Sequence, residues 1–161
     1  MIIGALLAEK DLAYAAGLFD GEGCIQLRKA GGANKPATCP EAGLCLYISV
    51  ANTNTEVLTW LKEHFGGNVY DMHPKGQPEG WSRGFAWVTS GKNAAAFLHK
   101  VYPYLKIKRG QAEPALLFAE TYHKGWRAKH NSISSEARTL RRIAYRAFRQ
   151  RINAQGGRGK V

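Results

Sequence analysis

Residues 9–23 read EKDLAYAAGLFDGEG, and this stretch decides the fold. Residues 9–20 predict a short helix, which Gly21 and Gly23 are expected to stop. Ala13, Gly17 and Gly21 recur every fourth residue, so one side of this helix carries almost no side-chain bulk. Two such helices can approach each other backbone to backbone, as rows of small residues permit. The stretch therefore predicts a helix that pairs with a second copy of itself.

Two acids, Asp20 and Glu22, lie at the end of the predicted helix, so that pairing two copies brings two acidic ends together. Carboxylate and backbone oxygens suit Mg²⁺, a hard cation that prefers oxygen ligands, and Mn²⁺ accepts the same donors. Such an ion can polarise a scissile phosphate, help to form a hydroxide nucleophile and stabilise the leaving oxygen. The pattern indicates metal-assisted hydrolysis of a phosphodiester, and the plainer alternative for Glu22 is an exposed acid in a turn.

The elements that follow the helix are predicted from hydrophobic period and from turn residues. Alternation of polar and apolar residues predicts strands over 24–29 and 44–51. Thr53 and Glu56 have capping-box spacing and predict the start of a helix that ends at the glycine pair 66–67. The remaining predictions are strands over 68–73 and 83–89, and helices over about 92–102, over about 109–123, and from Ser134 or Ser135 to about 152. This order predicts an α+β domain with an antiparallel sheet.

One face of the predicted sheet should be covered by helices, and the other carries polar and aromatic side chains. A solvated face is the usual interpretation of such a surface. A two-stranded ribbon also fits the major groove of DNA, so a DNA-reading face is the alternative. The candidates for contact with DNA are Gln26, Arg28, Tyr47, Ser49, His73, Lys75, Arg83 and Trp87.

Positive charge is concentrated in the last part of the chain. The net charge is +11, and residues 124–161 hold eleven Lys and Arg against one acid, or +10, which leaves +1 for residues 1–123. Nucleic acid is the commonest partner of such a segment, with an anionic membrane surface or simple solubility as alternatives. The last helix should bury Leu140, Ile143, Ala144, Ala147 and Phe148 and expose its arginines. Arg138, Arg141 and Arg142 are expected to bind DNA phosphates.

Length and composition limit the other classes of protein. A chain of 161 residues is expected to form a single domain, with a core over about 9–123 and a basic helical segment over about 124–161. No apolar run approaches the roughly 20 residues of a membrane span, and the apolar opening lacks the features of a signal peptide. Three cysteines without metal-ligand spacing predict reduced thiols in an intracellular protein, and the five histidines form no zinc motif.

The run AAGLFDGEG, residues 15–23, resembles the LAGLIDADG motif of homing endonucleases, with identity at Ala16, Gly17, Leu18, Asp20 and Gly23. The run PYLKIKRGQA, residues 103–112, also resembles a stretch of these enzymes, and the resemblance extends over about residues 9–120. It implies an αββαββα fold with an antiparallel DNA-binding sheet and C-terminal helices. It also implies a dimer interface formed by the motif helix, here Ala13, Ala16, Gly17 and Asp20.

The resemblance implies a role for each candidate residue of the site. Glu22 corresponds to the metal ligand, Gly21 offers its backbone carbonyl, and Asp20 is more often structural, near the helix pair. Asn52 corresponds to a polar residue that positions water, although a turn role is equally consistent with its place. Lys108 corresponds to the active-site lysine, with Lys106 as the fallback and plain surface charge as the alternative.

The function that follows is a homodimeric, Mg²⁺-dependent homing endonuclease that acts on double-stranded DNA and has no small-molecule substrate. One motif hydrolyses one strand, so a chain with a single motif needs a partner to break both strands of a long, pseudo-palindromic target. The runner-up is a non-cleaving RNA-splicing maturase or DNA-binding regulator on the same fold. A basic structural RNA-binding protein would account for the tail but not for the acidic, glycine-ended helix.

Overall fold

The computed structural model describes residues 7–29, 43–72, 80, 83–122, 126–127 and 132–154. Its longer elements are α1 (Glu9–Glu22), β1 (Gly23–Lys29), β2 (Leu44–Asn52), α2 (Thr55–Phe65), β3 (Asn68–Asp71), β4 (Phe85–Ser90), α3 (Gly91–Val101), α4 (Arg109–Ala119) and α5 (Ser135–Ala154). Short 3-10 turns follow α3 and α4, at Tyr102–Tyr104 and Glu120–Tyr122. Two-residue strands, β5 (Trp126–Arg127) and β6 (Ser132–Ile133), precede α5. The predicted α+β class and element order are confirmed.

Strands β1 to β4 form one antiparallel sheet in the order β1-β2-β4-β3. Alternate residues point to opposite faces of a strand, so the apolar residues of β1 and β2 share one face. Ile25 opposes Ile48 in the register, and both are buried against the helices. Gly23, the first residue of β1, opposes Val50 near the end of β2. This register brings the end of α1 to the end of β2.

Aromatic rings join the sheet to the helices that cover it. Phe97 of α3 makes edge contacts with Phe19 of α1, Phe65 of α2 and Trp87 of β4, at centroid separations of 5.3, 4.9 and 5.0 Å. Trp87 is fully buried, and its indole Nε1 donates to the Gly66 carbonyl at 2.7 Å. The prediction that Trp87 lies on the DNA-reading face is therefore wrong, because its ring belongs to the core.

Helix α1 is two residues longer than predicted. It continues through Gly21 to Glu22, and the Gly23 N–H donates to the Phe19 carbonyl at its end. A Cβ on Gly23 would collide with the ring and carbonyl of Phe19, so only glycine fits there. A Cβ on Gly21 would meet nothing. The helix therefore ends where Phe19 leaves no room for a side chain, and not at the first glycine.

Two helix starts were predicted from capping residues, with different outcomes. At α2 the cap is Asn54, whose Oδ1 accepts the N–H groups of Glu56 and Val57 at 2.9 and 3.3 Å, so the prediction of a cap at Thr53 is wrong by one residue. At α5 the Ser134 Oγ accepts the Ala137 N–H at 3.1 Å, which confirms the serine cap.

The buried side of α5 differs from the predicted stripe. Ala137, Arg141, Ala144 and Phe148 are buried, and their spacing of four, three and four residues defines one helical face. Ile143, predicted as part of the stripe, is 54% exposed. The prediction assumed that only apolar residues of α5 would be buried. In the structure, Arg141 occupies the buried position that faces α4.

Candidate functional site

The carboxylate of Asp20 accepts three backbone N–H groups from the segment before α4. Oδ2 accepts from Lys106 at 2.7 Å and from Ile107 at 3.1 Å, and Oδ1 accepts from Lys108 at 2.9 Å. The residue is only 8% exposed. Three successive backbone N–H groups around one anion form a nest, with the side chain as its ligand. Asp20 thus ties the end of α1 to the start of α4.

The environment of Asp20 favours its charged form. Burial by itself would raise the pKa of this carboxyl group. The backbone donors of Lys106, Lys108 and Ile107, together with the positive charge of Lys108, outweigh burial and hold the pKa below its ordinary value of 3.8. Asp20 is therefore ionised near neutral pH, with both oxygens turned to its own chain. Asp20 therefore has the structural role that the resemblance implies. Both of its carboxylate oxygens are bound by backbone N–H groups rather than directed toward a substrate.

Lys108 lies at the end of α1, where its Nζ donates to the Asp20 backbone carbonyl at 2.5 Å. Lys108 is also the residue before α4, and its own carbonyl accepts the N–H groups of Gln111 and Ala112 at 3.0 and 2.9 Å. The last carbonyls of a helix have no partner within the helix, and a cation is favourable there. The structure thus places the predicted lysine beside the predicted acidic end of α1, whereas Lys106 contributes its backbone N–H.

Gly21 and Glu22 form the exposed end of α1, next in sequence to the carbonyl that Lys108 holds. A carboxylate and a backbone carbonyl are hard oxygen donors, which suits Mg²⁺ or Mn²⁺. In the part of the chain that the structure describes, no three His, Cys, Asp or Glu side chains come together as a metal site. Residues 21 and 22 would therefore supply only part of the coordination shell of such an ion.

Asn52 is the last residue of β2, two positions beyond Val50, the partner of Gly23. Two residues of strand span roughly 7 Å, so Asn52 lies at the same end of the sheet as Glu22. Its Oδ1 accepts the Asn54 N–H at 2.9 Å. This contact supports the turn role, and the amide group remains at the correct end of the sheet for the role implied by the resemblance.

The small-residue side of α1 is open. Ala13, Gly17 and Gly21 are all exposed, and a Cβ built on either glycine would meet no atom within 4 Å. No neighbour in the described part of the chain requires glycine at positions 17 and 21, so the backbone there is accessible to another molecule. Ala16 is fully buried within the chain, and the prediction that it contacts a partner is therefore wrong. The Asp20 side chain also faces its own chain rather than this surface.

The uncovered face of the sheet has the polar character that was predicted. Gln26 and Arg28 are exposed, and Gln26 opposes the half-buried Tyr47 across β1 and β2. The Arg28 guanidinium lies 3.8 Å above the centre of the Tyr47 ring, a cation–π contact. Ser49 is half-buried on the same face.

Three other candidates for DNA contact, His73, Lys75 and Arg83, fall in the sequence between β3 and β4. Arg83 is exposed and makes a salt bridge with Asp71, with its Nε 2.8 Å from Oδ2. His73 and Lys75 lie outside the described residues.

The arginines of α5 fall into two groups. Arg141 is 1% exposed: its Nε donates to the Thr121 Oγ1 at 2.8 Å, and its guanidinium lies 5.0 Å from the Phe118 ring centre. The prediction that Arg141 binds DNA is therefore wrong, because this side chain attaches α5 to α4. The exposed Arg151 lies off the side of the helix that four other exposed arginines share, at spacings of four, four and three residues: Arg138, Arg142, Arg146 and Arg149. The last two were not singled out from the sequence, although their spacing was visible there.

Burial also changes the pKa of Tyr122, a residue that no sequence motif singles out. The Tyr122 hydroxyl accepts the Leu46 N–H at 2.7 Å at the beginning of β2. Burial raises the pKa of this phenol, so it stays neutral at physiological pH. Tyr122 thereby fixes the end of the sheet that lies opposite to Glu22.

No protein-family model and no curated protein matches the chain. Among solved structures, it is similar to the homing endonuclease I-CvuI in complex with the I-CreI target, with 19% identity over 95% of this chain and 98% of that one, at a TM-score of 0.58. It is similar to the archaeal intron-encoded homing endonuclease I-Vdi141I complexed with DNA, with 20% identity over 86% and 84%, at 0.56. It is also similar to the meganuclease I-SmaMI bound to uncleavable DNA, with 12% identity over 89% of this chain but 46% of that one, at 0.58.

These similarities show that the chain has the LAGLIDADG homing-endonuclease fold, as the motif implied. None of the described helices has the length and apolar character of a membrane span.

Proposed function

We propose that the protein is a site-specific homing endonuclease, a homodimer that makes Mg²⁺-dependent double-strand breaks in a long pseudo-palindromic DNA target and so promotes the homing of its intron. The observation that carries this proposal is the end of α1. There an exposed carboxylate, Glu22, follows an open row of small residues, and the Lys108 ammonium binds the backbone carbonyl of Asp20, two residues before Glu22. Similarity of fold to DNA-bound homing endonucleases supports the proposal.

The open side of α1 supports the proposed dimer. A two-fold axis along Ala13, Gly17 and Gly21 would cover this surface with its own copy and bring two Glu22 carboxylates together. The chain matches 98% of I-CvuI but only 46% of I-SmaMI, so the longer protein has room for a second unit of this size.

In this proposal each group of the site, whether side chain or backbone, has one task. Glu22 and the Gly21 carbonyl hold the divalent ion, Mg²⁺ or Mn²⁺, at the paired helix ends. When bound, the ion polarises the scissile phosphate and favours a hydroxide nucleophile. Lys108 neutralises negative charge that develops on the phosphate, as a cation fixed in advance of the reaction. Asn52 orients water at the end of β2.

The sheet face and α5 would divide the recognition of DNA between them. Arg28 can form a bidentate pair with guanine and Gln26 with adenine, which provides base readout in the major groove. Arg138 and Arg142 contact phosphates, which fix position without reading sequence. With +11 per chain, a dimer carries +22, which favours a long site and a steep salt dependence.

The whole chain, residues 1–161, is proposed to act as a single domain. It would act inside the cell, because its DNA target is there.

The test uses a plasmid that carries the uninterrupted host allele, with no intron at the insertion point. The wild type is expected to cut both strands near that point in Mg²⁺, and Glu22→Gln is expected to bind the same DNA without cutting it. Glu63→Gln is the matched control, since Glu63 is an exposed acid on α2 away from the site. Cleavage by Glu22→Gln at the wild-type rate would disprove the metal assignment. Specific binding without cleavage by the wild type would support the DNA-binding regulator or maturase instead.

A further inference from the structure

We infer that Asp20 is a positioning residue for Lys108, and that the two residues form a reciprocal clasp between the end of α1 and the start of α4. The inference rests on the proposed function, because it assigns the clasp the task of fixing the cation of that site. Each residue bonds the backbone around the other: the Asp20 carboxylate binds the N–H of Lys108, and the Lys108 ammonium binds the carbonyl of Asp20.

The first half of the clasp is the carboxylate in its nest. Two N–H groups share Oδ2, at 2.7 and 3.1 Å, and the third binds Oδ1 at 2.9 Å, so both oxygens are used. The third donor, Lys108, is also the residue from which α4 begins. A carboxylate at a helix N-terminus is favoured by the dipole and by the unpaired N–H groups of the first turn. Asp20 therefore fixes the backbone of residues 106–108.

The second half of the clasp is the ammonium at the end of α1. A lysine side chain has four rotatable bonds and, on an exposed loop, would sample many positions. Here its backbone is fixed by Asp20 and its Nζ is bound 2.5 Å from the Asp20 carbonyl, so both ends of the side chain are held. The next residues along α1 are Gly21 and the exposed Glu22. The cation is thus held at the end of α1 before any substrate arrives.

This arrangement also separates the roles of the two acids of the motif. The Asp20 carboxylate is 8% exposed and already has three donors, whereas the Glu22 carboxylate is exposed. An asparagine at position 20 would keep one acceptor oxygen and replace the other by an NH₂ group, which would face the N–H of the nest. Asp20→Asn therefore removes half of the clasp with almost no change in side-chain volume.

The first experiment measures the clasp without reference to cleavage. Amide hydrogen exchange of residues 106–108 is compared in the wild type, Asp20→Asn and Asp11→Asn, the last being a matched control on the first turn of α1. We expect at least ten-fold faster exchange in Asp20→Asn and no change in the control. Unchanged exchange in Asp20→Asn would overturn the clasp, whether or not the protein cuts DNA. If Asp20→Asn does not fold, the wild type alone decides: amide exchange at residues 106–108 as fast as in an unstructured peptide would overturn the clasp equally.

The second experiment is a double-mutant cycle on the single-turnover cleavage rate, with Asp20→Asn, Lys108→Met and both together. We expect Asp20→Asn to cut about 100-fold more slowly with unchanged DNA affinity, the order associated with a misplacement of about 1 Å. If Asp20 acts through Lys108, the double variant should be no slower than Lys108→Met within about two-fold. Losses that multiply would show an independent role and overturn the inference. A wild type that cuts no DNA would refute the proposed function alone, since the exchange experiment still decides the clasp.

Discussion

Replacing Gly17 by leucine should have opposite effects on the single chain and on the dimer. Gly17 is exposed in the interior of α1, and a Cβ at this position meets no atom of its own chain within 4 Å. Glycine costs a helix about 0.8–1 kcal/mol relative to alanine, and leucine is close to alanine. The substitution should therefore stabilise the folded single chain by roughly 0.5–1 kcal/mol. For a domain of this size that corresponds to a rise in Tm of about 1–4 °C.

The effect on the dimer has the reverse sign because the substitution is present twice. Overpacking a close contact costs roughly 1–3 kcal/mol per site, so two sites cost about 2–6 kcal/mol. At about 1.4 kcal/mol per factor of ten, the dimer should dissociate about 30-fold to 10⁴-fold more readily. Cleavage should be lost with it, because the two Glu22 carboxylates no longer meet.

Sedimentation velocity over a concentration series measures the dimer, and thermal melts at high dilution measure the single chain. The wild-type Tm should rise with concentration, since association stabilises the folded state, and the variant Tm should not. Ala96→Leu is the control, because Ala96 is exposed on α3 and lies outside the proposed interface. A Gly17→Leu protein that remained a stable, active dimer would refute the interface.

Three further predictions concern charge and stability. Arg141→Met should lower the free energy of unfolding by about 1–3 kcal/mol without changing the salt dependence of DNA binding, whereas Arg142→Gln should reduce the salt slope by about 0.9 per lost phosphate contact. A reversal of the two outcomes in urea melts and salt titrations would contradict the burial of Arg141. Replacing Arg138, Arg142, Arg146 and Arg149 together by glutamine should weaken DNA binding and flatten the slope by several units, so an unchanged slope would show that this side of α5 does not contact DNA. Because the pKa of Asp20 is lowered by folding, its stabilisation is present above about pH 4 and is lost as the pH falls through the lower folded pKa. The stability difference between wild type and Asp20→Asn should therefore shrink in acid, and a difference independent of pH would contradict the charged nest.

Much of the fold could be predicted because local periodicity decides it. The alternation in β1 and β2 placed Ile25 on the buried face and Gln26 on the open one, and the glycines at 66–67 ended α2 as expected. The row of Ala13, Gly17 and Gly21 correctly predicted an open helix side. These features depend on neighbours three or four residues away at most, so the sequence displays them directly.

The errors occurred where contacts between distant residues decide the outcome. Arg141 is buried because Thr121 and Phe118 provide a polar and an aromatic partner twenty or more residues away. The docking of Lys108 on Asp20 spans 88 residues, and no spacing rule relates the two positions. Arg141 was predicted at the surface only because arginine is a charged residue type.

The pairing of the α1 helices and the metal site can be examined together in a crystal structure of the protein on its cleaved or uncleaved target, with anomalous scattering from Mn²⁺. We expect two α1 helices in contact along Gly17 and a Mn²⁺ peak at coordination distance, roughly 2.0–2.6 Å, from a Glu22 oxygen of each chain, beside a DNA phosphate. Helices held apart, or a Glu22 carboxylate in bulk solvent with the metal bound elsewhere, would contradict this expectation.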